Sequence, residues 1–211
     1  MTENMTDKTT VRAFLSTREM ALCSLFAIIT GVGAMIKIPL PFSPVPVTLQ
    51  TAMVFFAGIL LGARKASVSM AMYMVMGLIG LPVFTQGGGF HNLLVPSFGF
   101  VIGFIPAAWV IGRVCEVAGG RFANSEYKGL AAALLRGVAC LAGYAVYNVA
   151  GVLWLHLNVN YVMGKSVTLH QSLMMGLVPF ILPDMLKMAA VVIVASLVAA
   201  RVRSLDTFAS K

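Results

Sequence analysis

Asp184 and Lys187 have the most chemistry to offer in this chain, because both stand inside an otherwise apolar stretch, 173–200. A charged side chain at mid-membrane costs about 2.5–3.5 kcal/mol on insertion scales, so such residues face an interior or a cavity. Three positions apart on a helix, they share a face and partly neutralise each other. A carboxylate accepts from N–H groups and an ammonium donates to C=O or COO⁻. The pair therefore suits a solute with hydrogen-bond donors at one place and a carbonyl or anionic acceptor at another. Two other readings use the same residues. Pro183 is a favourable first helical residue, which would set the Asp184 carboxylate at a helix N-terminus with Lys187 as a compensating charge, a purely structural arrangement. A proton relay is the third.

The fifth apolar segment adds Tyr144, Tyr147 and Trp154, with Tyr147 and Trp154 seven apart on one helical face. They read either as a stacking wall for a ligand ring or as packing and interfacial aromatics. Asn148 is an amide inside the same segment and needs a hydrogen-bond partner there. Other motifs fall short. No helix opening with Lys-Ser/Thr follows Gly87-Gly88-Gly89, and the leading glycine that a P-loop ending in Gly164-Lys165-Ser166 requires is Val159. There is no HExxH, no GxSxG and no carboxylate pair for hydrolysis. Cys23, Cys115 and Cys140 lie in apolar segments with no disulfide framework and no metal-ligand spacing. An enzyme is not expected. An intramembrane enzyme using Asp184 as acid/base, and a structural subunit held by the Asp184–Lys187 pair, are the alternatives from other classes.

Composition dictates the elements that must carry these residues. Of 211 residues, 59% are hydrophobic and 10% charged, against roughly 25% charged in soluble domains; mean hydropathy is +0.92. Such a chain cannot cover itself with polar groups, so its solvent is lipid. Six apolar segments are legible, at about 19–38, 47–62, 66–81, 97–117, 130–156 and 173–200. They predict an all-α integral membrane protein: one compact six-helix bundle over 19–200, with a polar N-terminus (1–18) and a C-terminal tail (201–211). Ser16 and Glu19 have capping-box spacing at the first helix. Pro39, Pro41, Pro44 and Pro46 forbid helix after it and favour a stiff, extended loop. Gly62-Ala63-Arg64-Lys65 is short enough to make the second and third segments an antiparallel hairpin.

The net charge of +8 follows topology rather than nucleic acid. Lys8, Arg12 and Arg18 precede the first segment; Arg64 and Lys65 fill the second break; Arg113, Arg121, Lys128 and Arg136 lie in or beside the fourth; Arg201, Arg203 and Lys211 end the chain. The breaks at 39–47 and 82–96 have no Lys or Arg, and 157–172 has Lys165 alone. This alternation predicts an even number of spans with both termini cytoplasmic. Cys23, Ala27 and Gly31 recur at i, i+4 and i+8, a flat stripe on which another helix, of this chain or of a partner, can approach closely.

The run Lys37-Ile38-Pro39-Leu40-Pro41-Phe42-Ser43-Pro44-Val45-Pro46-Val47-Thr48-Leu49-Gln50-Thr51 resembles the first loop of the BioY family, the biotin-specific substrate-binding (S) components of energy-coupling-factor (ECF) vitamin transporters. Leu60-Leu61-Gly62, the run Gly77 to Phe84, Gly143-Tyr144 with Tyr147, Gly151, Trp154 and Leu155, and Pro183-Asp184 with Lys187 resemble it in the same order. The resemblance implies a multi-pass protein of a prokaryotic cytoplasmic membrane that captures biotin from outside, with biotin as transported ligand and no cofactor. It implies a ligand site built from Thr48, Leu49 and Gln50 of the first loop, Phe84 and Gly88 of the third, Tyr147, Asn148 and Trp154 of the fifth span, and Asp184 and Lys187. Biotin's ureido ring carries N–H donors and a C=O, and its valerate is an anion, which matches the chemistry expected of the Asp/Lys pair. The implied partners are biotin, membrane lipid, an ECF membrane scaffold subunit and ATPase subunits, docking through faces such as Cys23/Ala27/Gly31; self-association into a homo-oligomer stays open. Some members carry an arginine in the glycine loop. This chain has none between Lys65 and Arg113, and His91 and Asn92 are polar residues available there.

Overall fold

The computed structural model describes residues 15–119 and 129–209. Most of the expected N-terminal segment and the last residues of the C-terminal one lie outside the described residues. Helix α1 (Thr17–Met35) starts at the expected box: Ser16 caps the Glu19 amide while the Glu19 carboxylate reaches back to the Ser16 amide. A two-stranded hairpin follows, β1 (Lys37–Leu40) and β2 (Ser43–Thr48), then α2 (Gln50–Leu61) and α3 (Ala63–Leu78). After a loop come α4 (Phe98–Gly119), α5 (Leu130–Leu157), α6 (Leu169–Gly176) and α7 (Val178–Ala209).

Among the described residues, four apolar helical segments have the length and composition to cross a membrane: Thr17–Met35, Phe98–Ala118, Leu130–Val162 and Leu169–Val198. Helix α2 has only 12 residues, about 18 Å of helix against a hydrocarbon core of about 30 Å. One expectation is made specific and two are corrected. The proline-rich loop is an antiparallel hairpin pairing Lys37 with Thr48 and Ile38 with Val47; proline dihedrals suit an extended strand, and a ribbon with two free edges tolerates residues without an N–H. The last segment is broken at Leu177, and α7 starts at Val178, so Asp184 lies in its second turn rather than at its N-terminus. Finally, the Cys23/Ala27/Gly31 stripe is buried inside the chain and is no open docking face. The Cys23 thiol donates to the Lys65 carbonyl, Ser69 donates to the Cys23 carbonyl at 2.7 Å, and a Cβ on Gly31 would stand 3.0 Å from the Val83 side chain.

Helix α4 is the centre of the bundle, packed against α2, α3 and α5. Glycines allow this closeness, since van der Waals packing, not water exclusion, holds helices together in lipid. Ile111 of α4 is a knob between Gly58 of α2 and Gly143 of α5, within 2.6 Å and 2.4 Å of the Cβ positions those residues lack. Gly99 and Gly103 admit Trp154 and the Tyr147 backbone of α5 in the same way. At the turn into α3, the Glu116 carboxylate accepts the Ala63 N–H at 2.9 Å, so α4 caps α3. Leu25, Ile28 and Val32 of α1 and Leu182, Leu186 and Ile193 of α7 face outward.

A Cβ on Gly112 would meet the Ala63 backbone at 2.2 Å, whereas one on Gly137 meets nothing within 4 Å. Gly112→Val should therefore lower stability by about 1–3 kcal/mol through overpacking. Gly137→Ala should leave the midpoint of thermal unfolding in detergent unchanged or slightly raised, alanine being the better helix former; equal midpoints for the two variants would contradict this packing.

Candidate functional site

One cavity gathers the polar residues of the interior. Its mouth is made by Val45, Pro46 and Thr48 of the hairpin with Phe84 and Thr85 of the loop. Its walls are Phe98, Phe100, Val101 and Phe104 of α4, Tyr147 and Asn148 of α5 and Phe180 of α7. Gln50, Thr51, Asp184 and Lys187 line it too, with Asn92, Val95 and Ser97 of the loop before α4. The loop folds inward because Gly77 leaves room for the Phe84 ring, which a Cβ there would meet at 2.0 Å. Phe84 and Gly87 exchange backbone hydrogen bonds of 3.0 and 3.2 Å, and Gly87, at φ +97°, takes a conformation that suits glycine.

Asp184 and Lys187 form an ion pair across one turn of α7, with side chains 2% and 11% exposed. Every ammonium donor is used: Lys187 Nζ also donates to the Thr48 carbonyl at 2.8 Å and to Thr51 Oγ1 at 2.7 Å. On the carboxylate, Oδ1 accepts from Thr51 Oγ1 at 3.1 Å and Oδ2 from the Tyr147 hydroxyl at 2.5 Å. A buried pair survives desolvation only when such bonds satisfy its remaining atoms. The cluster ties α7 to β2, α2 and α5, and presents a neutral, polar floor. A second chain of bonds runs beside it. Thr48 Oγ1 donates to Gln50 Oε1, the Gln50 amide donates to the Tyr73 hydroxyl, and Tyr73 donates to the Val83 carbonyl at 3.0 Å.

Of the ten residues expected at a ligand site, Thr48, Gln50, Phe84, Tyr147, Asn148, Asp184 and Lys187 line this cavity, whereas Leu49, Gly88 and Trp154 do not. Leu49 sits at the start of α2, its amide bonded to the Gly33 and Ile36 carbonyls. Gly88 is packed on the loop's own backbone, where a Cβ would meet the Leu81 carbonyl at 2.1 Å. Trp154 donates to the Val95 carbonyl at 3.2 Å and packs on Phe98, so it braces the wall from behind. Sequence reasoning overlooked Thr51, Phe100, Phe104 and Phe180. Three of these had a signal: Phe100 and Phe104 are one turn apart on α4, and Phe180 precedes Asp184 by one turn on α7. Asn92 is buried at the rim, donating to the Gly89 carbonyl at 3.2 Å with its amide 3.3 Å from His91 Nε2. Among the described residues no three His, Cys, Asp or Glu side chains come together as a metal site.

Comparison with known proteins agrees with this architecture. The profile of the BioY family matches residues 4–204. A probable biotin transporter BioY of Lysinibacillus sphaericus is 52% identical over 101 residues, an alignment spanning 48% of this chain and half of that protein. A probable biotin transporter BioY of Pyrococcus horikoshii is 31% identical over 86% of this chain and 96% of its own length. For the biotin transporter BioY of Thermotoga maritima the values are 33%, 90% and 98%. The crystal structure of the S-component for biotin from an ECF-type ABC transporter superposes with a TM-score of 0.73 at 26% identity, over 86% of this chain and 90% of that one. Matched by the family profile over nearly its whole length, and aligned with relatives over nearly all of theirs, this chain belongs to the BioY family.

Proposed function

We propose that this chain is the S component of an ECF transporter and serves biotin uptake, binding biotin in the cavity above the Asp184–Lys187 pair. The observation that supports this reading is that buried ion pair, hydrogen-bonded by Thr48, Thr51 and Tyr147 beneath aromatic walls. A fused ring system with a polar ureido edge needs apolar walls for its carbons and fixed polar atoms for its edge. Thr48, Gln50, Phe84, Tyr147, Asn148, Asp184 and Lys187 are the proposed ligand residues. The protein does no covalent chemistry on biotin in this reading. Energy comes from an ECF scaffold subunit and ATPase subunits.

Six membrane-crossing segments with cytoplasmic termini in a prokaryotic inner membrane complete the proposal. The charge pattern supports it: Arg64 and Lys65 lie at the α2–α3 turn and Arg113 in the last turns of α4, the side that the positive-inside rule makes cytoplasmic. The hairpin and the glycine loop then face outward. Lipid covers the outward-facing leucines, isoleucines and valines of α1 and α7.

The cavity holds ≈ 50 Å³, room for one or two waters, so biotin binding requires its lining, the hairpin included, to move apart. The hairpin is held there by Lys37 donating to the Thr85 carbonyl and by Ser43 Oγ donating to the Met175 carbonyl at 2.8 Å. Binding that waits on such a movement has a reduced association rate.

Equilibrium binding of labelled biotin to the detergent-purified protein tests the function. Nanomolar affinity, competed by desthiobiotin and not by thiamine, is expected; no binding by a folded, monodisperse protein would overturn it. Asp184→Asn should weaken biotin binding by about 1.5–3 kcal/mol, the worth of a hydrogen bond to a charged group. Unchanged affinity in the folded variant would remove Asp184 from the site. Ser43→Ala should raise the association rate by about 3- to 10-fold in stopped-flow mixing, as the conformational barrier falls; an unaltered rate would mean that this tie does not govern entry.

A further inference from the structure

A second cavity lies beside the hairpin and is larger than the central one. It is an open groove of ≈ 340 Å³ between the tip of the hairpin and the connection from α5 to α6, within the size range of small-molecule sites. Pro41 and Pro44 line it on the hairpin side, and Val159, Met163 and Val167 on the other. Lys165 is the one charged residue of its lining.

Hydrogen bonds hold the far wall in shape. A π-helical turn, Asn158–Val162, keeps Val159 buried at 4% exposure. The Asn160 side chain clamps Val167 at both backbone atoms, its Oδ1 accepting the N–H at 2.9 Å and its Nδ2 donating to the carbonyl at 3.1 Å. The Lys165 N–H donates to the Val159 carbonyl at 3.0 Å, and the Lys165 carbonyl accepts the Val167 N–H at 3.1 Å. Gly164, at φ +66°, makes the turn before it. Lys165 is thus fixed by its backbone and exposed, and among the described residues its ammonium has no ion pair or hydrogen bond.

Charge around the groove is one-sided. The segments 36–49, 79–97 and 157–177, which the proposed orientation sets outside, hold Lys37 and Lys165 and no Asp or Glu. Lys37 is engaged by the Thr85 carbonyl, so Lys165 is the cation left for a ligand. The groove suits an anion with an apolar body, its carboxylate on Lys165 and its carbons on proline, valine and the adaptable methionine. Biotin, with an ionised carboxylate at the end of an alkyl chain, has that form. The groove also adjoins the entrance. Consecutive residues of β2 line the two cavities, Ser43 and Pro44 the groove and Val45 and Pro46 the central one.

We propose that this groove is a capture site, where the carboxylate of biotin pairs with Lys165 before the ligand passes β2 into the central cavity. This rests on the proposed biotin function and adds the step that precedes it. The central cavity admits biotin only when the hairpin moves. A ligand already held beside the hairpin is present at a high effective concentration when that happens. Binding then has two steps, a fast reversible capture and a slower movement of the hairpin.

Stopped-flow mixing of biotin with the full-length detergent-purified protein, followed by tryptophan fluorescence over a range of biotin concentrations, tests the site. The observed rate should rise with concentration and then level off, the half-saturating concentration reporting capture and the plateau reporting hairpin movement. Lys165→Gln should raise the half-saturating concentration about 3- to 5-fold, the worth of one solvent-exposed charge contact. Lys165→Arg, which keeps the cation, should stay within about 1.5-fold of the wild type. Met163→Glu, an independent variant that sets an anion in the groove, should raise it at least as far as Lys165→Gln. The carboxamide of biotin, neutral where biotin is anionic, should show equal half-saturation in the wild type and in Lys165→Gln. Added salt should move the wild type with biotin toward the Lys165→Gln value. A wild-type rate that stays linear up to the solubility limit of biotin would overturn the capture site, as would equal half-saturation for biotin in the wild type and a folded Lys165→Gln. Equal losses for biotin and its carboxamide in that variant would also overturn it, because Lys165 would then act on the fold and not on the carboxylate. A folded wild type with no biotin affinity at equilibrium would instead overturn the function on which the capture site rests.

Discussion

A carboxylate and an ammonium buried in a lipid-soluble bundle form the constraint on which the rest of this structure depends. Neither charge is stable there alone, and their mutual attraction does not repay desolvation without further hydrogen bonds. The partners therefore have to come from other elements. Thr51 comes from the first turn of α2, the Thr48 carbonyl from the end of β2, and the Tyr147 hydroxyl from α5. Each bond fixes the position of one element relative to α7. Since these elements also bear the cavity lining, the cluster that neutralises the charge determines the shape of the floor.

Close helix approach is the second requirement, and glycine meets it. Tyr147 reaches Asp184 because Gly103 lets the α5 backbone come up against α4. Phe100 leans into the space that Gly151 leaves, and Phe84 into that of Gly77. In lipid, where apolar surface gains little by leaving its solvent, this shape fit supplies the association energy. The aromatic wall of the cavity is thus a product of the same contacts that hold the bundle, with Phe100, Phe104 and Tyr147 packed edge to face. The floor and the wall are one construction: disturbing the α4–α5 seam moves the Tyr147 hydroxyl on which Asp184 relies.

Several features were legible from residue types alone. Apolar length and sparse charge placed the chain in a membrane, and the Ser16/Glu19 spacing placed the start of α1. A charged pair one turn apart in an apolar stretch marked a site, because the cost of burying it is paid by composition-independent physics. The proline run announced an extended segment, and a hairpin is one way to be extended. Where two structures share one local pattern, the sequence was silent. Small residues at i, i+4 and i+8 serve an internal contact or an external one equally well, and Cys23, Ala27 and Gly31 are buried internally, Cys23 against α3 and Gly31 against Val83 of the loop after it. Trp154 and Tyr147 share a face by spacing, yet only Tyr147 lines the cavity, since Trp154 is taken up by the Val95 carbonyl and the Phe98 ring behind the wall.

The sequence by itself determined the solvent of this protein, the identity of its buried charges and, through its motif strings, its family resemblance. These depend on residue type and order and need no third dimension. Only the tertiary structure decided which acceptors satisfy Lys187 and that α7 begins before Pro183. Hydrogen-bond satisfaction is a property of where atoms from distant segments meet, as Thr51 and Asp184 do across 133 positions of chain. A linear sequence lists donors and acceptors; the fold alone pairs them.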